Sequence, residues 1–419
     1  MGPLMVAALV LAFTPPRQLA DYVERPDNSF AWERQGDEIA LRSQTWQDIT
    51  WKHTLTLHRP AVSLRTDVAI LVVTGDRVPR DEQEAKRLAD VVGMRVATLY
   101  DVPNQPLFDD LREDALIGYS LVQALQTKDD TWPLLFPMTK SVMAAMRALS
   151  ESTAGESEPI RRFIVTGASK RGWTTWLVGA LKDPRVIGIA PALYDNLNIP
   201  AQIRAMRSQF GDTSEMIRDY TEAGLIEALE TPAGQALARM VDPFAYRWDI
   251  TVPKLIINGT NDPYWTVDAI QRYLPRLSWP TWITYLPNRG HDLDDAPRYM
   301  GSLAGFARAL AGRRSLPTIS TEVGRASIEV KSSATPSAVI VWAAETMEAD
   351  FRRVNWTPIR RESPPPSTGG YQSTIDLGDP GRNRAIYVEH QFERDGIRVS
   401  LCTPISIQWV ARADAVQAW

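Results

Sequence analysis

The sequence is poor in the residues that most often carry disulfide, metal and redox chemistry. One cysteine, Cys402, stands among 419 residues, which excludes an internal disulfide framework and a cysteine-based zinc cage. The chain has four histidines, His53, His58, His291 and His390, so few positions are open to histidine-dependent chemistry. There is no excess of positive charge: 46 Lys and Arg face 50 Asp and Glu, for a net charge of −4. That balance speaks against a general nucleic-acid binder, which needs a broad basic surface. Long apolar runs are also missing. The longest, Leu4 to Phe13, is about half of what a membrane-spanning helix requires. Its length suits the apolar part of a signal peptide, but no positive side chain precedes it, and Pro15-Pro16-Arg17 is not a small-residue cleavage site. It reads either as an export signal, giving a periplasmic or extracellular protein, or as an arm packed on a cytoplasmic one.

The length exceeds one ordinary domain, and 44% hydrophobic residues mark a folded globular chain. Residues 38–58 read as two strands turning near Gln47-Asp48, the second half-exposed. His53 and His58 lie five apart on it and therefore face opposite sides. Buried strands follow at 68–73, 94–100, 162–167, 186–193, 254–258 and 282–286. Helical patterns at 80–92, 111–125, 140–151, 170–181 and 266–274 alternate with them. Strands alternating with helices specify a mostly parallel sheet covered on both faces. The helical stretch 196–248 is longer than a crossover requires and reads as a cap above the sheet. After Arg314 short strands at 328–331, 338–342, 385–388 and 397–401 are separated by Pro, Gly and Ser, as in an immunoglobulin-like β-sandwich. The expected organisation is a terminal segment 1–26, an α/β domain 27–312 and a β-rich accessory domain 313–419.

The sharpest local signal is Thr166-Gly167-Ala168-Ser169-Lys170-Arg171-Gly172-Trp173. A strand ends, a glycine permits a tight turn, and a serine stands before a helix, which is the geometry of a nucleophile elbow. The usual G-x-S-x-G has glycine where Arg171 stands, so a plain capping serine is the alternative. Asp262 follows a later strand and His291 the last one, giving the order Ser, Asp, His with each member at the carboxyl end of a strand. In that reading His291 takes the proton of Ser169 and Asp262 orients the ring. Asp195 is the alternative acid, while Asp292, Asp294 and Asp295 read as solvated loop charges. Oxyanion donors fall at the backbone of Lys170 and around Gly75-Asp76. The side chains of Lys170 and Arg171 either bind an acidic substrate group or support the oxyanion, or are surface charge on a first helical turn. Trp173 and Trp265 are pocket candidates and Trp176 a core residue. Asn104 and Gln105 are either pocket polar groups or loop-stabilising ones. No cofactor or metal is called for.

The stretches Leu19 to Val23, Ser43-Gln44-Thr45-Trp46, Trp51-Lys52-His53, Val102 to Pro106, Pro137 to Lys140, Thr166 to Trp173, Asn196 to Asn198, Asn261-Asp262, Pro287 to His291 and Asp350-Phe351-Arg352 resemble the PhoPQ-activated pathogenicity-related protein family. The resemblance implies an α/β-hydrolase fold with a β-rich C-terminal domain, often exported, with Ser169, Asp262 and His291 at the positions of a triad. It makes Arg171 a family feature. The basic residue after the serine is also similar to the elbow of glucuronoyl esterases, and secreted growth-repressing proteins of eukaryotes are similar to the same family. The expected function is a serine hydrolase acting through an acyl-enzyme on a carboxylic ester. A peptide substrate, or a secreted binding or signalling role on the same scaffold, is the alternative.

Overall fold

Strands buried on both faces read as uninterrupted apolar runs, because they have no polar side to show. In the computed structural model, which describes residues 14–410 apart from 65, 325, 366 and 368, such runs build a nine-stranded sheet. Its strands are β1 (Ala31–Gln35), β2 (Glu38–Trp46), β3 (Ile49–His58), β4 (Val68–Val73), β5 (Arg95–Leu99), β6 (Arg162–Ala168), β7 (Val186–Ala192), β8 (Lys254–Gly259) and β9 (Thr281–Leu286). The spatial order is β1-β2-β3-β5-β4-β6-β7-β8-β9. β1, β2, β3 and β5 pair antiparallel in turn, and every pairing from β5 to β9 is parallel.

The helices are α1 (Gln18–Glu24), α2 (Pro79–Val92), α3 (Glu113–Thr127), α4 (Leu135–Ser152), α5 (Lys170–Ala180), α6 (Ile199–Phe210), α7 (Arg218–Glu222), α8 (Leu225–Ala228), α9 (Pro232–Val241) and α10 (Ala296–Ala311). Alternate residues of β4 show how they cover the sheet. Val68 and Ile70 join a core with Leu88 of α2 and Phe306 of α10, while Ala69, Leu71 and Val73 join another with Val142 of α4 and Trp176 of α5. This is the α/β-hydrolase fold, with α6 to α9 inserted between β7 and β8 as a cap.

Two expectations need correction, and two short elements were not expected. β1 and α1 carry too short a pattern to be seen in the sequence. β3 is more fully covered than a half-exposed strand, with Lys52 its one exposed residue; His53 is buried and His58 half-buried, on opposite sides as expected. Residues 266–274 form no α-helix but two 3-10 turns, Ala269–Arg272 and Leu274–Arg276. Pro275 disfavours the α-region for the residue before it, which breaks the run. The apolar run Leu4–Phe13 lies outside the described residues. Among the described residues no helix is long and apolar enough to cross a membrane.

The C-terminal part holds a three-stranded sheet, β10 (Ile319–Val323), β11 (Ser327–Ser332) and β14 (Tyr371–Asp376), and a larger sheet of β12 (Ala338–Thr346), β13 (Thr357–Glu362), β15 (Asn383–Arg394), β16 (Ile397–Cys402) and β17 (Ser406–Gln408). Val330, Val341, Ile375 and Val388 fill the space between them. The larger sheet also meets the α/β part directly. Side chains at Gly301 and Gly305 of α10 would run into Arg398 O and Val399 of β16, so glycine there lets helix and strand touch. Ser302 and Thr284 both donate to Ser400 O, at 3.0 and 2.7 Å, and Arg298 meets the buried Glu389 at 3.0 Å.

Candidate active site

β6 ends at Ala168, and Ser169 adopts φ 59°, ψ −126° before α5 begins. A non-glycine residue in such a conformation costs about 1–3 kcal/mol and persists only where its surroundings hold it. Ser169 N donates to Ala192 O of β7 and Trp173 N donates to Ser169 O, both at 2.9 Å. Two glycines make the room. A Cβ on Gly167 would lie 2.8 Å from Arg171 O, and one on Gly172 2.5 Å from Ala192 O. The close approach to the next strand falls on position 172, so position 171 can carry a long side chain.

Ser169 Oγ lies 2.8 Å from His291 Nε2, and His291 Nδ1 lies 2.8 Å from Asp262 Oδ2. With its proton on Nδ1 the ring donates to the carboxylate and accepts from the serine hydroxyl. Asp262 is buried, and its second oxygen accepts from Tyr264 N at 3.0 Å. The Tyr264 ring lies against the imidazole, centroids 4.3 Å apart. Asp195 does not reach His291; it accepts from the Tyr273 hydroxyl. Burial pushes its carboxyl up to about 7, against the pull of that hydrogen bond. Asp294 and Asp295 are engaged rather than simply solvated: Asp294 pairs with Arg80, and Asp295 caps α10 and pairs with Arg298 at 2.7 Å.

Lys170 and Arg171 are not exposed charges of a first helical turn, nor are they available to an acidic substrate. Arg171 donates to both oxygens of Glu113 at 2.7 Å and through Nε to Val102 O at 2.6 Å. Lys170 Nζ lies 2.8 Å from Glu113 and 3.4 Å from Asp114. Burial alone would raise the Glu113 carboxyl, but the two cations outweigh it and bring it down to about 2. The Lys170 backbone N–H, first in α5, is one of the unpaired donors of a helix N-terminus and stands beside the serine.

The loop after β4 is held against this pair. A side chain on Gly75 would run into Arg171 Nη2. Asp101 N donates to Gly75 O at 2.8 Å, and Val102 N to Thr74 O at 3.1 Å. The Asp76 side chain is turned to solvent and accepts from Arg112 at 2.7 Å, leaving only its backbone for the site. Asn104 and Gln105 belong to the loop rather than to a pocket: Asn104 accepts from Lys52 N at 3.2 Å, and Gln105 donates to Glu113 at 2.6 Å.

From Ser169 a cavity of about 100 Å³ extends beneath the cap, walled by Trp173, Trp265, Tyr194 and aliphatic residues of α6, α8 and α9. Trp173 stacks on Tyr194 at 5.1 Å and donates to Val241 O at 2.6 Å, so it is both pocket wall and core. Trp176 is wholly buried, as expected. Among the described residues no group of three or more His, Cys, Asp or Glu is placed to hold a metal ion.

The sequence reading missed three groups. Glu113 and Asp114 look like ordinary acids at the start of a helix, and their partners lie some sixty residues on. Tyr264 is two residues past Asp262 but carries no pattern. Asn261 and Asn288 tie the acid and histidine loops to a segment far down the chain. Asn261 donates to Arg352 O at 3.1 Å and Val354 O at 2.8 Å; Asn288 donates to Trp356 O at 2.9 Å and accepts from Trp356 N at 2.7 Å. Arg352 also meets Glu215 of the cap at 3.0 Å and covers the Phe210 ring at 3.7 Å.

Solved structures of similar shape include acetyl xylan esterase 1 from Thermoanaerobacterium sp. JW/SL YS485, at 14% identity and TM-score 0.50, covering 71% of this chain and 95% of that one. An acetyl xylan esterase from Paenibacillus sp. R4 is similar at 12% identity and TM-score 0.48, over 70% and 92%. The autocrine proliferation repressor protein A of Dictyostelium discoideum is 29% identical over 443 residues, covering 93% of this chain and 88% of the relative. A family model described as PhoPQ-activated pathogenicity-related protein matches residues 19–352.

Proposed function

The chain belongs to the PhoPQ-activated pathogenicity-related protein family, and from that membership and the Ser169–His291–Asp262 line we propose that it is a serine hydrolase cleaving carboxylic esters through an acyl-enzyme. The observation that carries the reading is the strained serine, whose hydroxyl lies 2.8 Å from His291 Nε2. Oγ attacks the carbonyl carbon as its proton passes to His291 Nε2, and Asp262 stabilises the imidazolium. The tetrahedral oxyanion is held by the Lys170 N–H and a backbone N–H of the Gly75-Asp76 loop. Collapse breaks the bond to the alkoxy oxygen, which leaves as the alcohol with the proton from His291. Water then repeats the sequence on the acyl-serine and releases the carboxylic acid. A fluorophosphonate probe tests this: the folded wild type takes the label at Ser169 and Ser169→Ala takes none. An unlabelled, folded wild type sinks the proposal.

The name of the Dictyostelium relative supports a second reading, a binding or signalling role on the same scaffold. It predicts the opposite result with the probe. A peptide bond in place of the ester is decided by comparing p-nitrophenyl esters with aminoacyl p-nitroanilides.

A further inference from the structure

The pocket under the cap has an interior without free charge. Its depth is walled by Leu121, Ile203, Leu225, Leu237 and Val241. The two charged side chains at its mouth are already paired: Lys170 Nζ stands 3.4 Å from Asp114, which also accepts from Tyr220 at 3.0 Å and Tyr264 at 3.3 Å. A charged group entering there would lose its hydration with nothing to replace it. The volume of about 100 Å³ is modest. An apolar protein cavity of about 150 Å³ takes a benzene molecule, so this space suits a chain of a few carbons.

Which part of an ester enters it follows from His291. The imidazole returns its proton to the leaving oxygen, so the alcohol lies on the imidazole's side of the serine. Ser169 lines both the apolar pocket and a second cleft of about 270 Å³, but His291 lines only the second, together with Thr74, Asp81 and Glu84. We infer that the apolar pocket is an acyl subsite for uncharged chains of about three to six carbons, and that the alcohol leaves through the second cleft, on the side of His291. This rests on the hydrolase reading above.

The test is kcat/KM for p-nitrophenyl acetate, butyrate, hexanoate, decanoate and hemisuccinate, beside fluorophosphonate labelling of the same wild-type preparation. Each methylene buried in the pocket is worth about fourfold, so butyrate should exceed acetate by about fifteenfold. Decanoate should fall well below hexanoate, since added methylenes overpack a filled site, and hemisuccinate below butyrate. Leu225→Phe, which fills the pocket, should cut the butyrate-to-acetate ratio by about fivefold or more, and Leu237→Ala should move the optimum to longer chains. The two variants shift the preference in opposite directions, so either one alone carries the test if the other fails to fold. A labelled enzyme that prefers acetate, shows no dependence on acyl length or favours hemisuccinate overturns the acyl subsite and leaves the hydrolase reading standing. A folded enzyme that takes no label overturns that reading, and the subsite with it.

Discussion

Arg171 and Glu113 are joined by two parallel hydrogen bonds of 2.7 Å, and this fork binds the turn at Ser169 to the first turn of α3. Through Gly75, packed on the same guanidinium, it also fixes the loop after β4. The residue that departs from the usual elbow pattern thus holds the serine's neighbours in place.

Glu113→Gln leaves Arg171 buried without its carboxylate. Full burial of such a pair would set the cost of breaking it at about 3–5 kcal/mol; Glu113 is partly exposed, so about 2 kcal/mol is expected. The folded carboxyl is held down at about 2, so the pair's contribution is complete above the ordinary carboxylate range and fades as pH falls toward 2. The gap between wild type and variant in urea melts should be full at pH 7 and narrow steadily as pH falls from about 4.5 toward 2. Arg171→Lys should also lower kcat, since an ammonium cannot make the fork.

Asp195 and Asp262 answer differently to the same substitution. Asp262→Asn should reduce kcat by about 10⁴-fold, because the imidazole loses the acceptor that sets its tautomer. Asp195→Asn should keep most of the activity and gain stability at neutral pH. The folded carboxyl is raised by burial to about 7, so wild-type stability declines between about pH 4 and pH 7 and is level above. The variant lacks that decline, and its advantage should grow across the same interval to a few kcal/mol, since each tenfold change in proton affinity is worth about 1.4 kcal/mol. Paired thermal melts at pH 4.5 and 7.5 check the sign.

Asn261→Ala and Asn288→Ala remove bonds from the acid loop and the histidine loop to the Arg352–Trp356 segment. Each should cost about 1–3 kcal/mol, because buried backbone partners are left unmade. Measured well below the melting temperature, kcat should fall while KM stays near the wild-type value, the mark of a misaligned relay rather than a damaged pocket. A rise in KM with kcat unchanged would contradict this.

Glu389→Ala removes the buried carboxylate that receives Arg298, Trp342 and Ser400 at the contact between α10 and the larger C-terminal sheet, while Arg298 keeps Asp295 as a partner. A loss of about 2–3 kcal/mol is expected, below that of a charge left wholly unpaired. Near-UV and far-UV circular dichroism should still report one common transition, because Trp356, Tyr387 and Ile405 share the core that contains Trp173 and Trp265.

The fold was legible because its evidence is local. Each parallel strand is a short apolar run, and Ser169, Asp262 and His291 stand at the ends of three of them. The scarcity of histidine then did much of the sorting: His53 and His58 fall in one early strand and His390 in the β-rich part, which left His291. The illegible part was pairwise and distant. Lys170 and Arg171 carry no sign that their carboxylates lie on α3, so charge beside a serine reads as a substrate site or as surface. The same holds for Asn104 and Gln105, whose polarity shows without its direction. The motif Asp350-Phe351-Arg352 could be matched but not interpreted until Arg352 was seen to touch the cap and to sit beside the anchor of Asn261.

That anchor gives the molecule an order in time. The serine, acid and histidine are all translated before Arg352 to Trp356, yet two of their loops rest on that late segment. A nascent chain with His291 already outside the ribosome would therefore carry all three side chains without the brace that aligns them. Ribosome-bound chains of increasing length, exposed to the fluorophosphonate probe, should begin to take label only once Trp356 has emerged; labelling of shorter chains would break the link. Synthesis itself would delay the onset of reactivity until the Arg352–Trp356 segment has left the ribosome.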